Sequence, residues 1–129
     1  MNKKDVQNRV LQNGKPLSLS KFKWDEKTNT FSTTECDLVI DYADLTDCTF
    51  KTGSYCTFKT GHNCTFKTGH NCTFDTDHDC TFSTDNSCIF KTNYGCTFKT
   101  GHNCTFKTGH DCTFDTSPNC TFDTDSGCT

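Results

Sequence analysis

Two residue types in this 129-residue chain are numerous enough and polar enough to do chemistry: 12 cysteines and 5 histidines. Thiolates are nucleophiles and soft metal ligands, and imidazoles move protons or hold metal near neutral pH. Spacing decides which of these is open. Eleven cysteines, Cys48, Cys56, Cys64, Cys72, Cys80, Cys88, Cys96, Cys104, Cys112, Cys120 and Cys128, recur every eight residues. Zinc sites draw on close pairs such as C-x2–4-C, and this array holds none. His62, His70, His78, His102 and His110 each stand two residues before a cysteine. That offset puts the imidazole on a turn and the thiol toward a core, so the two do not share an ion.

The elements that carry these residues follow from the period. From Cys48 the chain reads as ten octads, CTFKTGSY to CTFDTDSG, then a final Cys128-Thr129. With positions lettered a to h, Cys fills a, Phe fills c and Thr fills e. A fixed short period means stacked units, each too small to bury its own apolar face. Positions a to e are rich in β-branched and aromatic types and predict a five-residue strand. Positions f to h carry turn residues, and Gly, Asn, Asp or Ser at f suits a backbone with positive φ.

Strand side chains alternate between faces. Position d holds Lys51, Lys59, Lys67, Lys91, Lys99 and Lys107, and an unpaired buried lysine is prohibitive. Positions a, c and e therefore point inward. The expected core is the cysteine series from Cys48 through Cys120 with Phe50, Phe58, Phe66, Phe74, Phe82, Phe90, Phe98, Phe106, Phe114 and Phe122. The fold class is all-β, a single-domain β-solenoid. Two octads would make a flat 16-residue coil, three a triangular one of 24. Facing Phe rings fill a gap of ~10 Å between sheets better than the wider triangular interior, which favours 16. Five such coils would make a rod of about 24 Å at ~4.8 Å per rung.

Residues 1–47 read as an N-terminal cap and residues 48–129 as the repeat domain. In the cap, KDVQNRVLQ predicts a short amphipathic helix ending at Asn13-Gly14. Phe22-Lys23-Trp24 and Thr30-Phe31-Ser32 flank a turn and predict a hairpin. IDYADLTD reads as one degraded octad, with Ile40 at a, Tyr42 at c and Leu45 at f. At the other end Cys128-Thr129 opens a strand without a following cap, which predicts an unpaired edge.

Composition narrows the function. Only 31% of residues are hydrophobic, below the usual ~45–50%, and they are concentrated in Phe and Cys. The net charge of −3 gives no basic footprint for nucleic acid. No apolar run approaches the ~20 residues of a membrane span, and MNKKDVQNRVLQNGK has no hydrophobic core of a signal peptide. A cytoplasmic location with reduced thiols is expected. The Asn-Cys-Thr triplets at Asn63, Asn71, Asn103 and Asn119 arise from the repeat and are discounted as glycosylation sites on the same ground. Stacked cysteines lie within bridging range, but their parallel Cβ vectors make a disulfide awkward, and each reads as a small buried hydrophobe.

The repeat CTFKTGHN resembles tandem C-T-F-x-T-G-x-x arrays of uncharacterised bacterial and phage proteins, and RVLQNGKPLSLSKFKWDEKTNTF with LVIDYADLTDCTF is similar to their lead-in. The resemblance covers nearly the whole chain. It implies a β-solenoid and brings no activity, cofactor or site residue; a phage origin would add the virion as a location.

Catalysis needs a cleft with convergent, dissimilar groups, and a rod of identical ladders offers none, so an enzyme is not expected and no cofactor is implied. The expected function is a structural or interaction rod presenting Thr, Lys and Asp faces. Its partner would be a protein, or a second copy docking on the C-terminal edge. The alternative is a surface binder, through outward Thr columns for ice or through stacked His62 and His78 for metal. Asp77, Asp79 and Asp85 are expected to crowd one turn region, loosely suited to a hard cation but without the ordered spacing of a calcium loop.

Overall fold

A computed structural model describes residues 1–42 and 46–129 and shows the β-solenoid. A helix α1 (Lys3–Gln7) leads to β1 (Val10–Gln12) and β2 (Lys15–Pro16). A 3-10 turn (Leu19–Lys21) and β3 (Lys23–Asp25) follow, then β4 (Thr30–Ser32) and β5 (Leu38–Tyr42). The octads supply β6 (Thr49–Lys51), β7 (Thr57–Thr60), β8 (Thr65–Lys67), β9 (Thr73–Asp75) and β10 (Thr81–Ser83). They continue with β11 (Ile89–Lys91), β12 (Thr97–Lys99), β13 (Thr105–Lys107), β14 (Thr113–Asp115) and β15 (Thr121–Asp123). Even strands from β4 to β14 form one sheet and odd strands from β5 to β15 the other.

Parallel partners lie two octads apart: Phe66 pairs with Phe50 and Phe82, and Phe74 with Phe58 and Phe90. A coil is therefore two octads. Phe82 shows why this packing works. It stacks on Phe66 and Phe98 at 4.9 Å, nearly parallel, and meets Phe74 and Phe90 of the facing sheet edge-on at 5.1 Å. Both arrangements suit the ring quadrupole, and each pair adds about 0.5–1.5 kcal/mol beyond burial. Lysines at d are exposed throughout, as the parity argument requires.

The strands are shorter than expected. Only b to d is regular strand, with β7 extending to Thr60. The chain bends at a and e, yet pairing continues through the bend. Thr68 donates its N–H to the Ser83 carbonyl, Asn71 to Asn86, and Thr73 to Cys56. Each coil thus hydrogen-bonds to the next around its corners as well as along its faces.

Turn chemistry also differs from the expectation. The left-handed residue is h, not f: Tyr55, Asn63, Asn71, Asp79, Ser87, Gly95, Asn103, Asp111, Asn119 and Gly127 all have positive φ. Short polar side chains tolerate this region better than most. Glycine at f serves close approach instead. A Cβ on Gly69 would overlap Ser54 Oγ, and one on Gly101 would overlap Asn86 Oδ1. Those same atoms accept the N–H of His70 at 3.2 Å and of His102 at 3.0 Å. Where f is Asp77, Asp85 or Asn93, its own side chain accepts the following N–H instead. The g amides of His70, His78, Asn86, Tyr94 and His102 are thus satisfied by one of two routes.

The cap departs furthest from expectation. Asn2 and Asp5 form a reciprocal capping box, but α1 ends at Gln7. Val10-Leu11-Gln12, expected as helix, is strand β1, antiparallel to β5 with Val10 opposite Ile40. The open edge of the first coil offers unpaired amides and carbonyls, and Asn13-Gly14 (φ 53° and 77°) makes the left-handed pair that a tight hairpin needs. The hairpin β3–β4 forms as expected, with Trp24 opposite Phe31. β4 is also a rung, with Phe31 parallel to Phe50.

Ile40 stands opposite Phe58 and Tyr42 opposite Thr60, so they occupy c and e rather than a and c. Ile40 precedes Phe58 by two octads and a two-position excess, which falls between Tyr42 and Thr49. Leu45 lies outside the described residues. Val6, Val10, Leu17 and Phe22 are buried over the first coil, Lys3 Nζ sits 5.0 Å above the Phe22 ring, and Trp24 Nε1 donates to the Met1 carbonyl. No described helix is long and apolar enough to cross a membrane.

Candidate functional site

The thiols occupy two inward columns, each taking the cysteine of every second octad. Cys48 through Cys112 are buried, whereas Cys36, Cys120 and Cys128 are partly open, and all 12 are free. Each buried sulfur has a structural task. Cys80 Sγ donates to the His78 carbonyl of its own turn and to the Gly61 carbonyl one coil back. Cys96 does the same with Tyr94 and Asp77. The backbone N–H of Cys80 donates to Cys96 Sγ, and that of Cys88 to Cys104 Sγ, both at 3.4 Å. Cysteine is thus a small hydrophobe that also satisfies turn carbonyls, a role spacing did not announce.

Electrostatics within the columns follow from sulfur neighbouring sulfur. Burial, with smaller contributions from the nearby Cys64 and Asp47 charges, pushes the Cys48 thiol up to about 11. Burial likewise raises Cys112. Hydrogen bonding from Cys80 holds Cys64 and Cys96 down at about 7, and the same contacts push Cys80 up. Cys88 is pushed up by Cys104 and Cys72, while Cys104 falls to about 6. A thiolate in a column is tolerated only where its neighbours remain protonated. With Cys64 only 1% exposed, such a thiolate is closed off from solvent.

Threonines at e line the bends beside these sulfurs. Thr100 Oγ1 donates to the Gly101 carbonyl at 3.2 Å and Thr108 Oγ1 to Gly109 at 3.3 Å. Thr60 and Thr76 Oγ1 are buried without a partner.

His62 and His78 do stack, with centroids 4.8 Å apart and planes within 4°. The column continues through Tyr94 and His110 at 4.7 and 5.0 Å. Face-to-face rings direct their nitrogen lone pairs in parallel, so as placed they do not converge on one ion. His78 and His110 each turn Nδ1 to the next aspartate, Asp79 and Asp111, at 2.8 Å. His70 and His102 lie on the opposite edge of the rod. Among the described residues no three His, Cys, Asp or Glu gather as a metal group. Asp77, Asp79 and Asp85 do not crowd one turn: with two turns per coil, Asp77 and Asp79 fall on one edge and Asp85 on the other.

The outward ladders distinguish the faces. On the even face the b column is unbroken threonine, Thr30, Thr49, Thr65, Thr81, Thr97 and Thr113. On the odd face Val39 and Ile89 interrupt it, each about half exposed. The odd d column runs Asp41, Lys59, Asp75, Lys91, Lys107, Asp123, alternating in sign except where Lys91 meets Lys107. Near Thr129, Phe114 and Cys120 are half-buried, and Phe122, expected in the core, stacks on Phe106 and is 45% exposed.

Compared with protein-family models, curated proteins and solved structures, the chain gives no match.

Proposed function

We propose that this chain is a non-catalytic rod module that holds flat, repetitive faces toward another macromolecule. The observation that carries the reading is the pair of continuous Phe columns, stacked at 4.9–5.0 Å from Phe58 to Phe122. They make each coil depend on its neighbours, which yields a stiff body whose length follows the repeat number. The chemistry-bearing thiols point into that body, and the outward groups form ladders of like residues. This favours broad contact over reaction at one point.

Small-angle scattering with a size measurement across concentrations tests the reading. A rod profile is expected at every concentration. Removing residues 80–95, one whole coil, is expected to shorten the rod by ~4.8 Å and leave it folded. A globular profile, or loss of folding on that removal, overturns the proposal.

A further inference from the structure

The two faces carry the same fold and different charge. On the even face the d column runs Lys23, Ser32, Lys51, Lys67, Ser83, Lys99. No carboxylate interrupts it before Asp115. Asp25 sits at the head of the neighbouring b column, opposite Thr30. On the odd face three lysines are interleaved with three aspartates. Lys23, Lys51, Lys67 and Lys99 are exposed, and none forms an ion pair among the described residues. The even face is thus a cationic stripe on a chain whose net charge is −3.

We propose that the even face binds a linear anionic polysaccharide laid along the rod axis, which names a partner for the rod reading above and rests on it. Three features select that chemistry. Lysines recur at one or two rungs, ~5 or ~10 Å apart, a spacing that an extended chain of acidic sugars can follow. Beside them runs the threonine column, whose hydroxyls both donate to and accept from sugar hydroxyls. Three shallow hollows flank the stripe. One of about 350 Å³ lies between Lys21, Lys23, Ser32 and Lys51, one of about 400 Å³ between Lys51, Thr52, Lys67 and Thr68, and one of about 850 Å³ between Lys23, Trp24, Ser32 and Lys51, with Asp25 and Glu26 at its rim. Each is large enough for a pyranose ring. A single-stranded nucleic acid fits less well, because the b and d columns carry no aromatic side chain and Trp24, beside Lys23 at one end, gives a single platform where successive bases need several.

The test measures binding of hexameric oligogalacturonate to the whole chain at low and moderate salt, with neutral dextran and oligo-dT as comparators. Binding of the uronate, weakened by salt and absent for dextran, is expected. The double variant Lys51→Ser/Lys67→Ser should lower affinity at least fivefold; serine already fills this column at Ser32 and Ser83. The matched variant Lys91→Ser/Lys107→Ser removes the same charge from adjacent rungs of the odd face and should change affinity less than twofold. Equal losses in both pairs, tighter binding of oligo-dT, or no uronate binding overturns the proposal. A chain that scatters as a rod and binds no uronate refutes only this inference, whereas one that fails to scatter as a rod refutes the rod reading itself.

Discussion

The middle of the solenoid and its N-terminal end bury the same kind of surface by opposite means. Around Phe82 every ring contact is with another phenylalanine, with columnar planes within 5° and facing rings at 74° and 76°. At the cap, Phe31 is tilted 50° from Phe50 at 6.4 Å and lies 5.1 Å from Phe22 at 30°. The tilt falls to 14° between Phe50 and Phe66 and to 5° one coil later. Repetition sets its own geometry once started, while the end that starts it needs unlike parts: a helix, a hairpin, and four apolar side chains of three types. A period specifies how units stack and leaves open what covers the first one.

The comparison breaks most visibly if the cap is removed. Deleting residues 1–25 withdraws Val6, Val10, Leu17 and Phe22 from the first coil, each worth about 1.5–3 kcal/mol, and bares the edges of β4 and β5. Aggregation on a sizing column is expected, with a larger drop in melting temperature than any single substitution causes. Next comes Phe82→Ala, which opens a cavity walled by four rings and should cost about 3–5 kcal/mol in urea unfolding. Phe82→Leu should lose more stability than Phe31→Leu, since the cap already accommodates a tilted ring; equal losses would dissolve the contrast.

Smaller changes sharpen the same contrast within one turn. Gly109→Ala, whose Cβ would come within 2.9 Å of the Tyr94 nitrogen, should cost roughly 1–3 kcal/mol despite an unexceptional φ. Asn71→Gly, at φ 56°, should be neutral or slightly stabilising. Thr76→Val removes an unpartnered buried hydroxyl and is expected to raise stability, whereas Thr100→Val gives up the bond to Gly101 and should lose about 0.5–1.5 kcal/mol.

Thiol chemistry supplies two further readouts. Brief alkylation of the native chain should label Cys36, Cys120 and Cys128, the three outside the buried set, and spare the rest by mass spectrometry. Cys48 is raised from its ordinary 9.0 to about 11. Its contribution to stability is therefore complete below about pH 9 and lost as pH climbs to about 11. An unfolding midpoint that falls over that window, and falls less in Cys48→Ala, is the expected result.

Face parity, coil length and the composition of the core are legible because lysine at six of the ten d positions, and Asp or Ser at the rest, admits one answer. The left-handed position escapes such a reading for an instructive reason. Glycine is frequent at f, and freedom of φ is its commonest use, yet at Gly69 and Gly101 the need is for vacated space. The better signal lies at h, where eight of ten residues are Asn, Asp or Gly. The thiol hydrogen bonds are hidden because a carbonyl acceptor leaves no mark on side-chain sequence. The rung at Thr30-Phe31-Ser32 is visible as a copy of Thr81-Phe82-Ser83, but Phe31 precedes Phe50 by more than two octads, and the octad ruler does not reach it. Ile40 departs from the octad register for the same reason.

A coil holds two octads, so the unit of sequence is half the unit of shape. A tandem duplication of two octads would lengthen the rod and leave each face's character intact. Duplicating one would keep every ring column filled yet send all later strands to the opposite side. Inserted after Asn71, a single octad would set Asp75 beneath Lys67 and carry Lys99 across the rod, an exchange that uronate binding would register. Odd and even numbers of added octads thus both keep the core columns filled, but only even numbers keep each later side chain on its own face.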